Sequence, residues 1–342
     1  MAWPNKEIEA PYAPCHWAWS DIRPFMDRAS TLVATGPDTE WRVVQLINPA
    51  LPGLRSASHT LTANVQMVLP GEIASSHRHT AGAIRFIIEG AAAVTIVNGE
   101  PIEMKSGDLV LTPGGCWHGH VNESDGPMLW MDTLDRPLVM ALRQMHQEPY
   151  ETKLQARTKA MGHSAVRYGT GGLRAVGAKA EEVSPLFLYP WAETEAALHR
   201  LAEVSNDPYD DIAFDYVNPT TRGPVMPTIG CRIQMIRAGV RTKAHRHSAV
   251  SVHHVFRGSG AIVIDGVRMD WKKGDFFVVP PYAWHEHENR TGEHAVLFST
   301  TDMPVLKALH LLAEEAYTDN GGHQPVTGAY AERQVALEVQ QS

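Results

Sequence analysis

The chain repeats itself, and that limits its fold more than any other feature. The segment GEIASSHRHTAGAIRFIIEG (71–90) returns as GVRTKAHRHSAVSVHHVFRG (239–258), and GDLVLTPGGCWHGHVN (107–122) returns as GDFFVVPPYAWHEHEN (274–289). The copies lie 168 residues apart in the first block and 167 in the second, so one deletion reconciles them. Self-similarity at a fixed offset means that one structural plan is executed twice. A length of 342 residues gives each copy room for a domain with its own core.

Each copy reads as a series of short β-rich runs punctuated by turns. AAVTIV-NGEPIEM and GAIVI-DGVRMDW are strand, hairpin turn and strand through Asn98-Gly99 and Asp265-Gly266. GDLVLTP and GDFFVVP are turn then strand, with the proline ending the ladder. Evenly spaced short strands of this kind predict a mainly β protein made of two tandem jelly-roll β-barrels. The expected division is an N-terminal arm (1–40), a first barrel (41–140), a helical connection (141–210), a second barrel (211–300) and a C-terminal helix and tail (301–342). Apolar spacing of 3.6 residues predicts helices over 191–204 and 302–317. The aromatic stretch CHWAWSDIRPFM (15–26) is expected to lie as an arm over a neighbouring surface.

Charge and cysteine content narrow the function classes. A net charge of −8 argues against nucleic-acid binding, which calls for a basic face. Cys15, Cys116 and Cys231 are far apart and form no CxxC pair, which fits a reducing compartment and no zinc–thiolate site. The opening MAWPNKEIEAP lacks the pattern of a secretory leader, and no long apolar run occurs, so a cytoplasmic enzyme without membrane or nucleic-acid partners is expected.

The first copy carries the richer chemistry. Residues two apart in a strand share a face, so His77 and His79 point the same way. His118 follows the TPGGCW turn, where a neighbouring strand begins. Three imidazoles converging inside a small barrel would form a facial metal site with open positions, suited to iron, zinc, copper or nickel. Arg85 shares alternation parity with the histidine pair, and an arginine aimed inward is costly unless an anion meets it. That anion is either a ligand or a structural partner, Glu89 or Asp132.

These spacings, Gly-x5-His-x-His and then Gly-x5-Pro-x-Gly-x2-His-x3-Asn, resemble the two motifs of the cupin superfamily, and their duplication resembles a bicupin. The usual glutamate ligand of cupins is missing, since Ala83 and Ile84 stand there, so the site would be three-histidine. Within bicupins the chain is similar to the gentisate 1,2-dioxygenase family, which includes salicylate and 1-hydroxy-2-naphthoate dioxygenases. QMVLPGEIASSHRHTAGAIRFIIEG (66–90), WHGHVNE (117–123) and WMDTLDRPLV (130–139) carry the match, with weaker support from RVVQLINP (42–49).

The resemblance implies Fe(II) on His77, His79 and His118, a small aromatic acid and O2 as substrates, and a homotetramer. Ring cleavage of the extradiol type would fall between the carboxyl- and hydroxyl-bearing carbons of a 2-hydroxybenzoate, in aromatic-compound catabolism. Arg85 would meet the substrate carboxylate with a planar bidentate fork. By position, Gln66 would bond substrate or oxygen, His120 would serve proton transfer, and Asp132 would orient His120 or Arg85. Arg42 is a further candidate anion contact.

Asn64 stands where gentisate enzymes tend to have glycine, and Thr62 where a larger aromatic can occur. Both point to a salicylate with a polar or electron-withdrawing ring substituent such as nitro, halo or amino. In the second copy His245, His247 and His285 keep the ligand spacing, but His253 replaces Arg85 and Tyr282 replaces Gly115. That barrel is expected to be structural or to bind metal without turnover. The competing readings are a non-oxygenase metal cupin (hydrolase, decarboxylase or isomerase) and a metal-free bicupin that binds or senses small molecules.

Overall fold

The computed structural model describes residues 10–32, 42–331 and 338–339, so parts of the expected arm and tail (1–9, 33–41, 332–337 and 340–342) lie outside it. The repeat folds as expected into two β-sandwiches of jelly-roll type. Each consists of two facing sheets rather than a closed barrel.

In the first repeat a seven-stranded sheet faces a five-stranded one. The larger sheet has Ala83–Glu89, Met128–Leu134 and Thr62–Val68 at its centre, with Leu109–Thr112 and Arg42–Gln45 outside them. The smaller runs Gln147–Pro149, Ile73–His79, His118–Asn122, Ala91–Val97 and Glu100–Lys105. The second repeat has two six-stranded sheets of matching plan. Its inner strands are Ser251–Arg257 and Ala295–Thr301 on one side, and His245–His247 and His285–Glu288 on the other.

Both predicted hairpin turns form. Asn98 and Gly99 (φ 45° and 78°) match Asp265 and Gly266 (φ 46° and 78°), the two left-handed residues that a type I′ turn needs. The sandwiches pack on each other through an apolar cluster drawn from both, in which Phe86 stacks on Phe298 with ring centroids 4.2 Å apart.

The arm is more than a cover. Cys15–Trp17 pairs with Phe276–Val279 and so joins the sheet of the second repeat. The helix Trp19–Leu32 starts there, with the Trp19 amide donating to Asp275 Oδ1 at 2.8 Å. The segment before the second repeat does the reverse. Leu188–Tyr189 pairs with the first repeat's Leu109–Val110, and the helix Trp191–Ala202 begins with the Trp191 amide on Asp108 Oδ1 at 2.8 Å. The Gly-Asp turns seen in the sequence are thus docking points. A Cβ on Gly107 would fall 2.6 Å from the Trp191 ring, and one on Gly274 2.3 Å from the Trp19 ring. Each repeat is clasped by the segment that leads into the other.

One expected helix is mostly wrong. Over 302–317 only Met303–Ala308 is helical, and Glu314–Ala316 is a strand on the edge beside His245–His247. His310 takes a left-handed φ of 59°, which stops the helix, and edge pairing outweighs helical propensity beyond it. The first repeat has the same device. Arg136–Ala141 is followed by Arg143 at φ 60° and by Gln147–Pro149 on the edge of the His77–His79 strand. The connection therefore begins as a β-strap, and its later helices are His163–Tyr168 and Trp191–Ala202.

Candidate metal centre and substrate pocket

Strand alternation builds the first centre. In His77-Arg78-His79 the two histidines face the sandwich interior, while Arg78 faces out, pairs with Glu148 on the strap and lies 4.5 Å from the centroid of Trp117. His118 sits directly across the ladder from His77. The three imidazoles offer ligand nitrogens that all lie within 4.8 Å of one another.

Backbone carbonyls fix each ring. Nδ1 of His77 lies 2.9 Å from Ser75 O, that of His79 2.7 Å from Ala81 O, and that of His118 2.9 Å from Cys116 O. A carbonyl only accepts, so every Nδ1 carries the hydrogen and every Nε2 is left with a lone pair. The Nε2 of His118 is buried with no hydrogen-bond partner, an orphan that a cation would satisfy. Burial above all, with His77 beside His79 and the Arg85 charge near both, brings His77 and His79 down to about 4. Burial and the same neighbouring charges put His118 well below the ordinary histidine value. The rings are therefore neutral at pH 7, the form that ligates. The donor set is all imidazole, so the residues fit a three-histidine metal centre with open positions.

The opposite sheet faces this triad across a cavity of about 150 Å³. Gln66, Asn64, Thr62, Arg85, His120 and Asp132, all expected at the site, line it. Arg85 is buried, with Nε 3.0 Å from Asp132 Oδ1 and Nη1 donating to Thr112 Oγ1 at 2.6 Å. The Nε–Oδ1 contact is ionic but lies outside hydrogen-bonding geometry. Asp132 also accepts from Trp130 Nε1 at 2.9 Å through its second oxygen. Burial lowers the guanidinium and raises the carboxyl, each against the partner's opposite charge, and an arginine stays protonated regardless. The structural partner and the ligand-facing role therefore coexist. Asp132 holds Arg85, and Arg85 lines the cavity.

Asp132 does not orient His120. Thr95 does, with Oγ1 2.8 Å from His120 Nδ1. Thr95 gives its hydrogen to Met104 Sδ at 3.0 Å, so His120 donates from Nδ1 and keeps an Nε2 lone pair. Burial and the Arg85 charge keep His120 well below the ordinary histidine value, hence neutral and able to accept a hydrogen bond at Nε2. Asn64 contributes a buried Oδ1 with no hydrogen-bond partner. Thr62 bonds the backbone of Leu134.

Arg42 is a correction. Register pairs Val43 with Gln66 and Gln45 with Asn64, so Arg42 has the opposite parity and does not line the cavity. It is bonded twice to Glu72, both contacts at 2.6 Å. Gln45 takes the lining position instead, three residues along the same RVVQ run. Arg136, Met145 and Gln147, from the helix and strap, also line the cavity. Sequence spacing gave no signal for Met145 and Gln147, because 141–210 reads as a helical connection, nor for Arg136 near the end of WMDTLDRPLV. Arg136 is the pocket's second cation, and it lies near the start of its short helix.

Two stretches of the chain, 64–134 and 232–301, match the family described as cupin domain. A 5-aminosalicylate 1,2-dioxygenase from Comamonas sp is 39% identical over 330 residues, covering 95% of this chain and 87% of that protein. Gentisate 1,2 dioxygenase 1 from Aquipseudomonas alcaligenes is 38% identical, over 85% of this chain and 83% of that one. The solved salicylate 1,2-dioxygenase from Pseudaminobacter salicylatoxidans superposes with a TM-score of 0.86 at 34% identity, covering 91% and 90% of the two chains. With its duplicated sandwich, its histidine triad and relatives matched over most of their length, the chain belongs to the gentisate and salicylate 1,2-dioxygenase family of ring-cleaving bicupins.

Proposed function

We propose that the protein is an Fe(II)-dependent dioxygenase that uses O2 to open the ring of a 2-hydroxybenzoate between the carboxyl- and hydroxyl-bearing carbons. The observation that carries this reading is Arg85, a buried guanidinium fixed by Asp132 and Thr112 on the wall that faces the three-histidine site. Held by Nε2 of His77, His79 and His118, Fe(II) would supply Lewis-acid and redox chemistry for a chelated carboxylate and phenolic oxygen. Arg85 still has hydrogens on Nη2 and one on Nη1 for the carboxylate, which offsets the cost of its burial. His120, neutral and with a lone pair on Nε2, would accept a hydrogen bond from the phenolic hydroxyl.

Asn64 supports a hydrogen-bond donor on the ring. Its unsatisfied Oδ1 asks for a donor, which a 5-amino or 5-hydroxy group provides and a 5-nitro or 5-chloro group does not. The relatives named for 5-aminosalicylate and gentisate fit that order of preference.

The test is oxygen uptake and loss of aromatic absorbance by anaerobically Fe(II)-reconstituted protein. The substrates are 5-aminosalicylate, gentisate, salicylate, 5-nitrosalicylate, 5-chlorosalicylate and 1-hydroxy-2-naphthoate. Turnover led by 5-aminosalicylate or gentisate is expected. Silence on the whole panel with iron bound would overturn the reading in favour of a non-oxygenase cupin.

A further inference from the structure

We propose that the second sandwich is a second metal centre, in which His245, His247 and His285 bind one first-row divalent cation, so that each chain holds two. Their ligand nitrogens lie within 4.8 Å of one another, as in the first repeat. Ring fixation is copied for two of the three rings, while His245 Nδ1 is buried without a hydrogen-bond partner. His247 Nδ1 lies 2.8 Å from Ala249 O and His285 Nδ1 3.0 Å from Ala283 O, the same two-residue reach made by His79 and His118. His245 stands across the ladder from His285 as His77 does from His118, and its ring meets the edge of Tyr209 at 5.1 Å. A cavity of about 230 Å³ opens onto the triad, leaving room for water in the remaining coordination positions.

The rest of this pocket differs from the first at the positions proposed to seat the substrate carboxylate. Where Arg85 stands in the first repeat, His253 bonds Ser251 Oγ at 2.8 Å and stacks on Phe277, with centroids 4.6 Å apart. Val279 occupies the register position of Thr112, and Ser299 that of Asp132. Arg232, on the cavity lining, is taken up by Asp210 and Asp215, each at 2.7 Å. The set that fixes a guanidinium in the first repeat, Arg85 with Asp132 and Thr112, is absent here, and the cations that line this cavity, Arg232, Arg222 and Lys307, come from other positions. The ligand triad is complete without the substrate anchor. This centre binds metal and does not cleave rings.

The experiment counts metal in the full-length protein, without substrate, so its result is independent of the reaction proposed above. Protein loaded with Zn(II) or anaerobically with Fe(II) and then desalted is assayed by plasma mass spectrometry. Two metals per chain are expected in the wild type, and one each in His77→Gln/His79→Gln and His245→Gln/His247→Gln. Should the second variant fail to fold, anomalous scattering at the metal edge from wild-type crystals decides between a peak amid the second triad and none. One metal per chain in the wild type, lost in the first variant, or no anomalous peak at the second triad, would overturn the proposal.

Discussion

Replacing Arg85 by lysine isolates what the guanidinium does. The charge remains, so Asp132 keeps a counter-ion and the buried pair is not orphaned. The fork is lost. In the wild type Nε faces Asp132 and one hydrogen of Nη1 goes to Thr112, leaving the others for a carboxylate. An ammonium that serves Asp132 has fewer well-placed hydrogens for substrate, so one charge-assisted bond, worth about 1.5–3 kcal/mol, disappears. That corresponds to a fall in kcat/KM of roughly ten- to 150-fold. The carboxylate is held alike before and during the reaction, so the loss should sit in KM, with kcat nearly unchanged. The assay is steady-state oxygen uptake on 5-aminosalicylate or gentisate, with iron content and melting temperature measured in parallel. A phenol lacking the carboxylate should bind wild type and variant equally. A fully metallated variant whose kcat/KM stays within threefold of wild type, or whose affinity for the carboxylate-free phenol falls as far as for substrate, would refute the assignment.

Other consequences can be checked separately. Asp132→Asn leaves Arg85 buried without a counter-charge, which costs about 3–5 kcal/mol and lowers the denaturant midpoint, with partial recovery on adding salicylate. Asn64→Gly removes an unsatisfied acceptor, so the kcat/KM ratio of 5-aminosalicylate to salicylate should drop about fivefold, the worth of one neutral hydrogen bond near 1 kcal/mol; an unchanged ratio would count against Asn64. His77 and His79 titrate at about 4 in the folded chain and at 6.5 when unfolded, so the unfolded apoprotein binds more protons between those values. Apoprotein stability therefore falls as pH drops from 6.5 to 4, and metal affinity stays nearly flat from pH 7 to 5 before declining. Denaturant melts and metal retention across that range read both.

The duplication, the hairpins and the histidine triads were legible in the sequence because each rests on a local rule. Residues two apart share a strand face, and Asn98-Gly99 supplies two left-handed positions. Arg42 turns away from the cavity because parity along a strand matters more than charge, and the register with Gln66 and Asn64 makes Gln45 the lining residue. Helical spacing over 302–317 was real but incomplete. It could not reveal that the His245–His247 strand offers an open edge, which claims Glu314–Ala316. Thr95, Thr112 and Trp130, which hold His120, Arg85 and Asp132, carry no spacing signal, since they act through contacts between distant strands.

The crossed arms bear on how the molecule comes off the ribosome. The first sandwich lacks Leu188–Tyr189 and Trp191 until about sixty percent of the chain has been made, and its Gly107-Asp108 turn waits empty until then. The aromatic arm at 15–26 must meanwhile stay unpaired, since its partner strand Phe276–Val279 is synthesised later still. Each half is thus completed by a segment outside its own repeat. Heat should accordingly melt the two sandwiches in one transition rather than two, and a chain cut between residues 170 and 180 should yield fragments that are unstable alone and fold when mixed.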